Sequence, residues 1–138
     1  MANALYPLWK QEILKGTSNN LLNSAEGTTG VYAALVDTGV YTYSAAHQFY
    51  SSLTGVVGTD QEILTKTQAS GTFDGTDLTF TAVTGNTVEA IVLYRKNAGA
   101  NTTWPLIAYI DTSVTGLPVT PNGGNITITW NASGIFTL

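Results

Sequence analysis

The chain has 138 residues, enough for one domain with a sizeable core, and it carries no cysteine and a single histidine, His47. Disulfides, thiol catalysis, cysteine-bound metal and a multi-histidine metal site within one chain are thereby excluded. The net charge is −4, and Lys10, Lys15, Lys66, Arg95 and Lys96 form no basic stripe, which argues against direct nucleic-acid binding.

The elements are expected in the following order. Residues 4–15 read as a short amphipathic helix. Asn3 is placed to cap it, Pro7 sits in the first turn, and Gly16 supplies the stop. Leu5, Leu8, Trp9 and Ile13 share a face, so the helix is either a lid on the sheet core or a docking arm onto a neighbour. Thr17–Gly30 is polar loop, with room for a short strand at Asn20–Asn23. Val31–Asp37 is a strand. A second helix is expected at 45–53, capped by Ser44 and closed by Gly55, with Ala46, Phe49, Tyr50 and Leu53 as its apolar face.

Gly55–Asp60 reads as a turn region, Gln61–Thr67 as a strand, and Ala69–Thr76 as turn-like around Asp74-Gly75. Asp77–Val83 alternates, with Leu78, Phe80 and Ala82 on one face. Thr84-Gly85-Asn86 then turns into the most apolar stretch of the chain, Thr87–Asp111. Its two runs, Val88–Tyr94 and Trp104–Ile110, flank the polar segment Arg95–Thr103, as a β-hairpin with a long loop requires. Both runs are apolar on both faces. A strand of that kind is covered on both faces, by elements of its own chain or by another subunit. After a Pro- and Gly-bearing loop, Asn125–Asn131 points Ile126, Ile128 and Trp130 inward, and Ile135–Leu138 adds an edge strand.

Short connections after residue 60 favour antiparallel pairing. The expected fold is mostly β: one domain over residues 1–138, an antiparallel β-sandwich or jelly-roll-like structure with two short helices.

No constellation carries catalysis. His47 has no orienting carboxylate and no Gly-x-Ser-x-Gly partner. Asp74 and Asp77 look like turn residues, without calcium-loop spacing. Glu89, odd within an apolar run, is expected at a strand end, paired with a cation such as Lys66 or Arg95. The sequon matches at Asn101, Asn125 and Asn131 are chance-level in a chain rich in Asn and Thr. No enzyme activity, cofactor or metal is expected.

Only 10% of the residues are charged, against about 25% in an average soluble domain. Interface cores are poor in charge, so such a surface points to burial in an assembly, with a sparsely charged secreted-type β-domain as the alternative. The start at Met1 shows no signal-peptide pattern. No apolar run approaches the ~20 residues of a membrane-spanning helix, so no membrane partner is expected. Trp104 with nearby tyrosines also offers a sugar-stacking surface, the basis of a carbohydrate-binding alternative.

Three groups of residues carry a family resemblance: Ala4-Leu5-Tyr6-Pro7 before the helix, Ala34–Gly39 leading to Tyr41–His47, and Leu106–Thr112 with Gly116–Gly124. Together they resemble a family of small structural proteins encoded by tailed bacteriophages and prophages. The resemblance covers most of the chain and carries no catalytic or ligand residues. It implies a virion protein, made in the host cytoplasm and incorporated in the particle. A capsid decoration (cement) protein gripping the major capsid protein is the first expectation, and a tail, adaptor or fibre component the second. Homo-oligomers are expected in either case. Tyr6, Leu8 and Trp9 are expected as helix contacts, and Tyr94, Tyr109, Asn97, Asn101 and Trp104 as strand and loop contacts to partners.

Overall fold

The computed structural model describes residues 2–23, 25–27 and 29–138. The described chain forms one α-helix, α1 (Pro7–Leu14), and ten strands: β1 (Ala4–Leu5), β2 (Gly30–Val36), β3 (Val56–Glu62), β4 (Thr67–Ala69), β5 (Thr72–Asp74), β6 (Leu78–Phe80), β7 (Ala90–Lys96), β8 (Leu106–Ile110), β9 (Ile126–Ile128) and β10 (Phe136–Thr137). The main sheet runs β1-β8-β7-β2-β3. Smaller sheets run β10-β5-β4 and β6-β9, and every pairing is antiparallel. The result is a β-sandwich-like fold, as the alternation and short connections predict.

The centre is the predicted hairpin, β7–β8, with β2 on its other side. β2 and β7 pair in unbroken register from Gly30↔Lys96 to Val36↔Ala90. β7 and β8 pair from Ile91↔Ile110 to Tyr94↔Leu106, with a bulge after Leu93. Because side chains alternate along a strand, this register puts Tyr32, Ala34, Val36, Val92, Tyr94 and Tyr109 on one face and Val31, Ala33, Leu35, Ile91 and Leu93 on the other.

Both faces are buried by the chain itself. The first lies under the segment 41–53: Tyr43 meets Tyr109 at 5.7 Å between ring centroids and Tyr50 meets Tyr94 at 4.5 Å. The second is buried in one continuous cluster with Phe73, Phe80, Ile126, Ile128 and Trp130 of the smaller sheets and their flanks. Each fully buried Val, Leu, Ile or Phe side chain stabilises the fold by roughly 1.5–3 kcal/mol. The two-faced strands therefore give no reason for a second subunit.

Several expectations need correction. The second helix, at 45–53, does not form: the segment is a turn followed by a single 3₁₀ turn at Tyr50–Ser52. Its backbone is taken by the sheet instead. Tyr50 N–H donates to Trp104 O at 2.9 Å, Leu106 N–H donates to Gln48 O at 2.9 Å, and Phe49 bridges Pro105. Ser44 Oγ accepts from Ala46 N–H, closing a tight turn rather than capping a helix. The N-terminal helix is shorter than expected, because Ala4-Leu5 pairs with β8, and Asn3 Oδ1 accepts from the Asp111 and Thr112 backbone rather than capping. Residues 20–23 form no strand; a 3₁₀ turn occupies Ser18–Asn20. Ser24 and Thr28 of the 17–30 loop lie outside the described residues. Finally, Gly55–Asp60 is not a turn region but the larger part of β3. Its Gly58 adopts φ +75°, opposite a register shift between Ala33 and Leu35, so a bulged strand carried turn-like residues.

Ala82, expected inward with Leu78 and Phe80, is exposed at φ +48°, because β6 ends at Phe80.

Candidate interaction surface

Most residues expected to touch partners serve the chain's own core. Tyr6, Trp9, Tyr94 and Tyr109 are buried, so they are not outer contacts. Tyr6 N–H donates to Ile107 O, locking the helix entry to β8, and its hydroxyl meets that of Tyr41 at 2.7 Å. Tyr41 in turn meets His47 Nδ1 at 2.9 Å, which accounts for the lone histidine. Burial drives the Tyr6 hydroxyl far above its ordinary pKa, with the Tyr41 bond adding to it. Trp9 Nε1–H donates to Asn20 O, tying α1 to the turn after it.

The long loop is organised by Asn97. Its Oδ1 accepts from Gly99 N–H and Thr103 Oγ1–H, and its Nδ2–H₂ donates to Asn19 Oδ1 and Thr103 O. Asn97 is therefore a loop brace. Trp104 is half-buried and stacked on Tyr94 at 5.8 Å and 10°, with Lys96 Nζ 5.2 Å from its ring centroid. Lys96 also sits 5.1 Å over Tyr32. A ring stacked on Tyr94 and approached by Lys96 offers a sugar little free face. Beneath it, Tyr50 and Tyr94 both donate to Asp60 Oδ2, at 2.9 and 2.8 Å. Burial raises the Asp60 carboxyl above its ordinary value, opposed by those two bonds. Of the eight expected contacts, Asn101 is exposed and Leu8 is half-exposed.

Glu89 meets neither Lys66 nor Arg95. Its Oε2 accepts from Thr38 N–H at 2.9 Å and Thr38 Oγ1–H at 3.2 Å. Lys66 lies 3.6 Å from Glu26, and Arg95 donates to Asn19. Asp74 and Asp77 are turn and strand braces, accepting from Gly75 N–H and Trp130 N–H.

What the list of expected contacts missed is a groove. Trp9 and Ile13 of α1, Leu21 and Leu22 after it, Phe73 of β5, Phe136 of β10 and Leu138 line an apolar cavity of about 360 Å³. The Trp9 and Phe136 rings meet edge-on at 5.8 Å, and Phe136 stacks on Phe73 at 5.3 Å. Leu21 is 40% exposed and Leu138 62%, and Leu14, beside Ile13, is 89% exposed. An apolar concavity of this kind has the shape to take an apolar side chain or ligand, whereas a singly exposed leucine such as Leu14 needs no explanation. Of the groove's lining, α1 supplies Trp9 and Ile13, and Leu21-Leu22 follow it in the chain. Leu21-Leu22 in an otherwise polar loop was the available sequence signal.

Among the described residues no group of three or more His, Cys, Asp or Glu could hold a metal ion. No helix among them is long and apolar enough to cross a membrane. Comparison with protein-family models finds no match, and comparison with curated protein sequences finds none either.

Proposed function

We infer that this chain is a structural protein of a tailed-bacteriophage particle, a decoration protein that stabilises the head by holding neighbouring capsid subunits. The observation that carries this reading is the apolar groove between α1 and the β10-β5-β4 sheet, rimmed by exposed Leu21 and Leu138. Three further features support it: the 10% charge content, the self-sufficient core that leaves this patch uncovered, and the resemblance to small phage structural proteins. The occupant of the groove is an apolar segment of the major capsid protein. Each contact is weak, and repetition across the head lattice supplies the avidity.

Mass spectrometry of purified particles tests the reading. Stoichiometric presence on the order of hundreds of copies is expected for the head, whereas about six or twelve copies would assign the chain to a tail or adaptor ring. Absence from washed particles would overturn both.

A further inference from the structure

On the opposite side of the hairpin, the face under residues 41–43 opens into a second cavity of about 470 Å³. Its wall has an unusual composition. Three tyrosines, three threonines and two carboxylates line it, and Pro118 is the remaining residue. Eight of the nine described lining side chains thus bear a hydroxyl or a carboxylate. No Lys, Arg or His lines it, which disfavours phosphate and other anions. Among the described residues no Leu, Ile, Val, Met or Phe lines it, which disfavours an acyl chain.

The groups are held in place. Glu89 is anchored through Oε2 by both donors of Thr38, leaving Oε1 outside that pair. The Tyr43 ring is held by a tilted contact with Tyr6 at 5.0 Å and an edge contact with Tyr109 at 5.7 Å, and remains half-exposed. Tyr41 is fixed from behind by Tyr6 and His47. Asp111 lies close enough to Tyr109 for its charge and a hydrogen bond to act on that hydroxyl, as does the charge of Glu89. Positioned acceptors, rotatable hydroxyls and an aromatic edge are what a ring with several hydroxyls requires. Carboxylate oxygens accept from its OH groups, the hydroxyls donate and accept in turn, and its C–H face rests on a tyrosine.

We propose that this cavity is a binding site for a neutral saccharide ring, with Glu89 as the principal acceptor and Tyr43 as the stacking surface. The proposal does not depend on the groove or on the chain's place in a particle. It moves glycan recognition away from Trp104, whose ring is stacked on Tyr94 and approached by Lys96.

The test is saturation-transfer NMR on the full chain with a panel of neutral sugars (glucose, galactose, rhamnose, N-acetylglucosamine), with methylammonium as the cationic control. At least one sugar is expected to bind at millimolar concentration. Glu89→Gln, which keeps an acceptor for Thr38, should weaken it by about tenfold or more. Thr42→Trp, at an exposed lining position, should block the mouth without touching the core and weaken it equally. Trp104→Phe should leave it unchanged. The proposal is overturned if every sugar stays silent, if either cavity variant binds as the parent does, or if methylammonium binds and the sugars do not.

Discussion

Trp9 and Phe136, 127 positions apart in the chain, meet edge-on with 5.8 Å between ring centroids, and this contact joins α1 to the β10-β5-β4 sheet. Both rings line the apolar groove, and Trp9 is only 2% exposed. The contact thus bears both on folding and on the proposed docking role, and the two can be separated by choice of residue.

Replacing Trp9 by Ala removes a buried ring together with its hydrogen bond to Asn20 O. The expected cost is about 3–5 kcal/mol in urea unfolding, the range for truncating a buried aromatic side chain. A loss below about 1 kcal/mol would mean that the helix is not seated on the sheet as described.

Trp104 stacks on Tyr94 and packs against Tyr50, but it is only half-buried. Trp104→Ala should therefore cost less than Trp9→Ala, about 1–3 kcal/mol, and should disorder the 97–103 loop, because Nε1–H donates to Gly99 O. Amide hydrogen exchange in that loop would report the second effect.

Asp60 gives a pH signature. Burial raises its carboxyl in the folded chain above the ordinary value of 3.8, so the folded state takes up a proton at higher pH than the unfolded state. Its stabilising contribution is greatest below 3.8 and is lost as pH rises through the raised value. Asp60→Asn keeps an acceptor for both tyrosines and abolishes the titration. The stability of the parent relative to Asp60→Asn should therefore increase on acidification from neutral pH towards 4, measured by urea unfolding across that window. A difference that is flat or falls would contradict the buried geometry.

Gly116 adopts φ +113°, and an added Cβ would stand 2.4 Å from the Thr127 carbonyl oxygen, a backbone atom that cannot swing away. Gly116→Ala should cost about 1–3 kcal/mol and loosen the Thr115↔Thr129 bridge beside it. Gly123→Ala is the comparison. Its φ of +86° is also strained, but its nearest neighbour is 4.0 Å away, so its cost should be smaller.

The legible part of this molecule was the part in which local pattern and tertiary environment agree. The apolar runs around Arg95–Thr103 and the turn between them are a hairpin in isolation and a hairpin in the fold. Strands Leu78–Phe80 and Ile126–Ile128 likewise show alternation that matches their burial. The 45–53 segment failed because helical spacing of Ala46, Phe49, Tyr50 and Leu53 competes with a stronger claim. Tyr43 and Tyr50 are drawn onto aromatic partners of the sheet, and the backbone at Gln48 and Tyr50 pairs with β8. Propensity yields to tertiary pairing there. β3 was hidden because Gly55 and Gly58 look like turn residues, and a bulge uses the same residue types as a turn.

The contact residues were misplaced for a related reason. Large aromatics are enriched both in cores and at interfaces, and composition does not separate the two roles. Tyr6, Trp9, Tyr94 and Tyr109 took the first role. The exposed apolar rim of the groove is made by Leu21 and Leu138, which carry no such prominence in a linear reading.

Those leucines allow the docking role to be examined without unfolding the chain. Leu21→Ser and Leu138→Ser alter exposed side chains and should each change stability by no more than about 0.5 kcal/mol. The decisive measurement is the occupancy of undecorated heads by the parent chain and by the Leu21→Ser, Leu138→Ser double variant, quantified by mass spectrometry after washing. Saturable binding by the parent and a loss of about tenfold or more in apparent affinity for the folded variant are predicted. No binding by the parent, or equal occupancy by both proteins, would contradict the assignment of this groove as the contact with the particle.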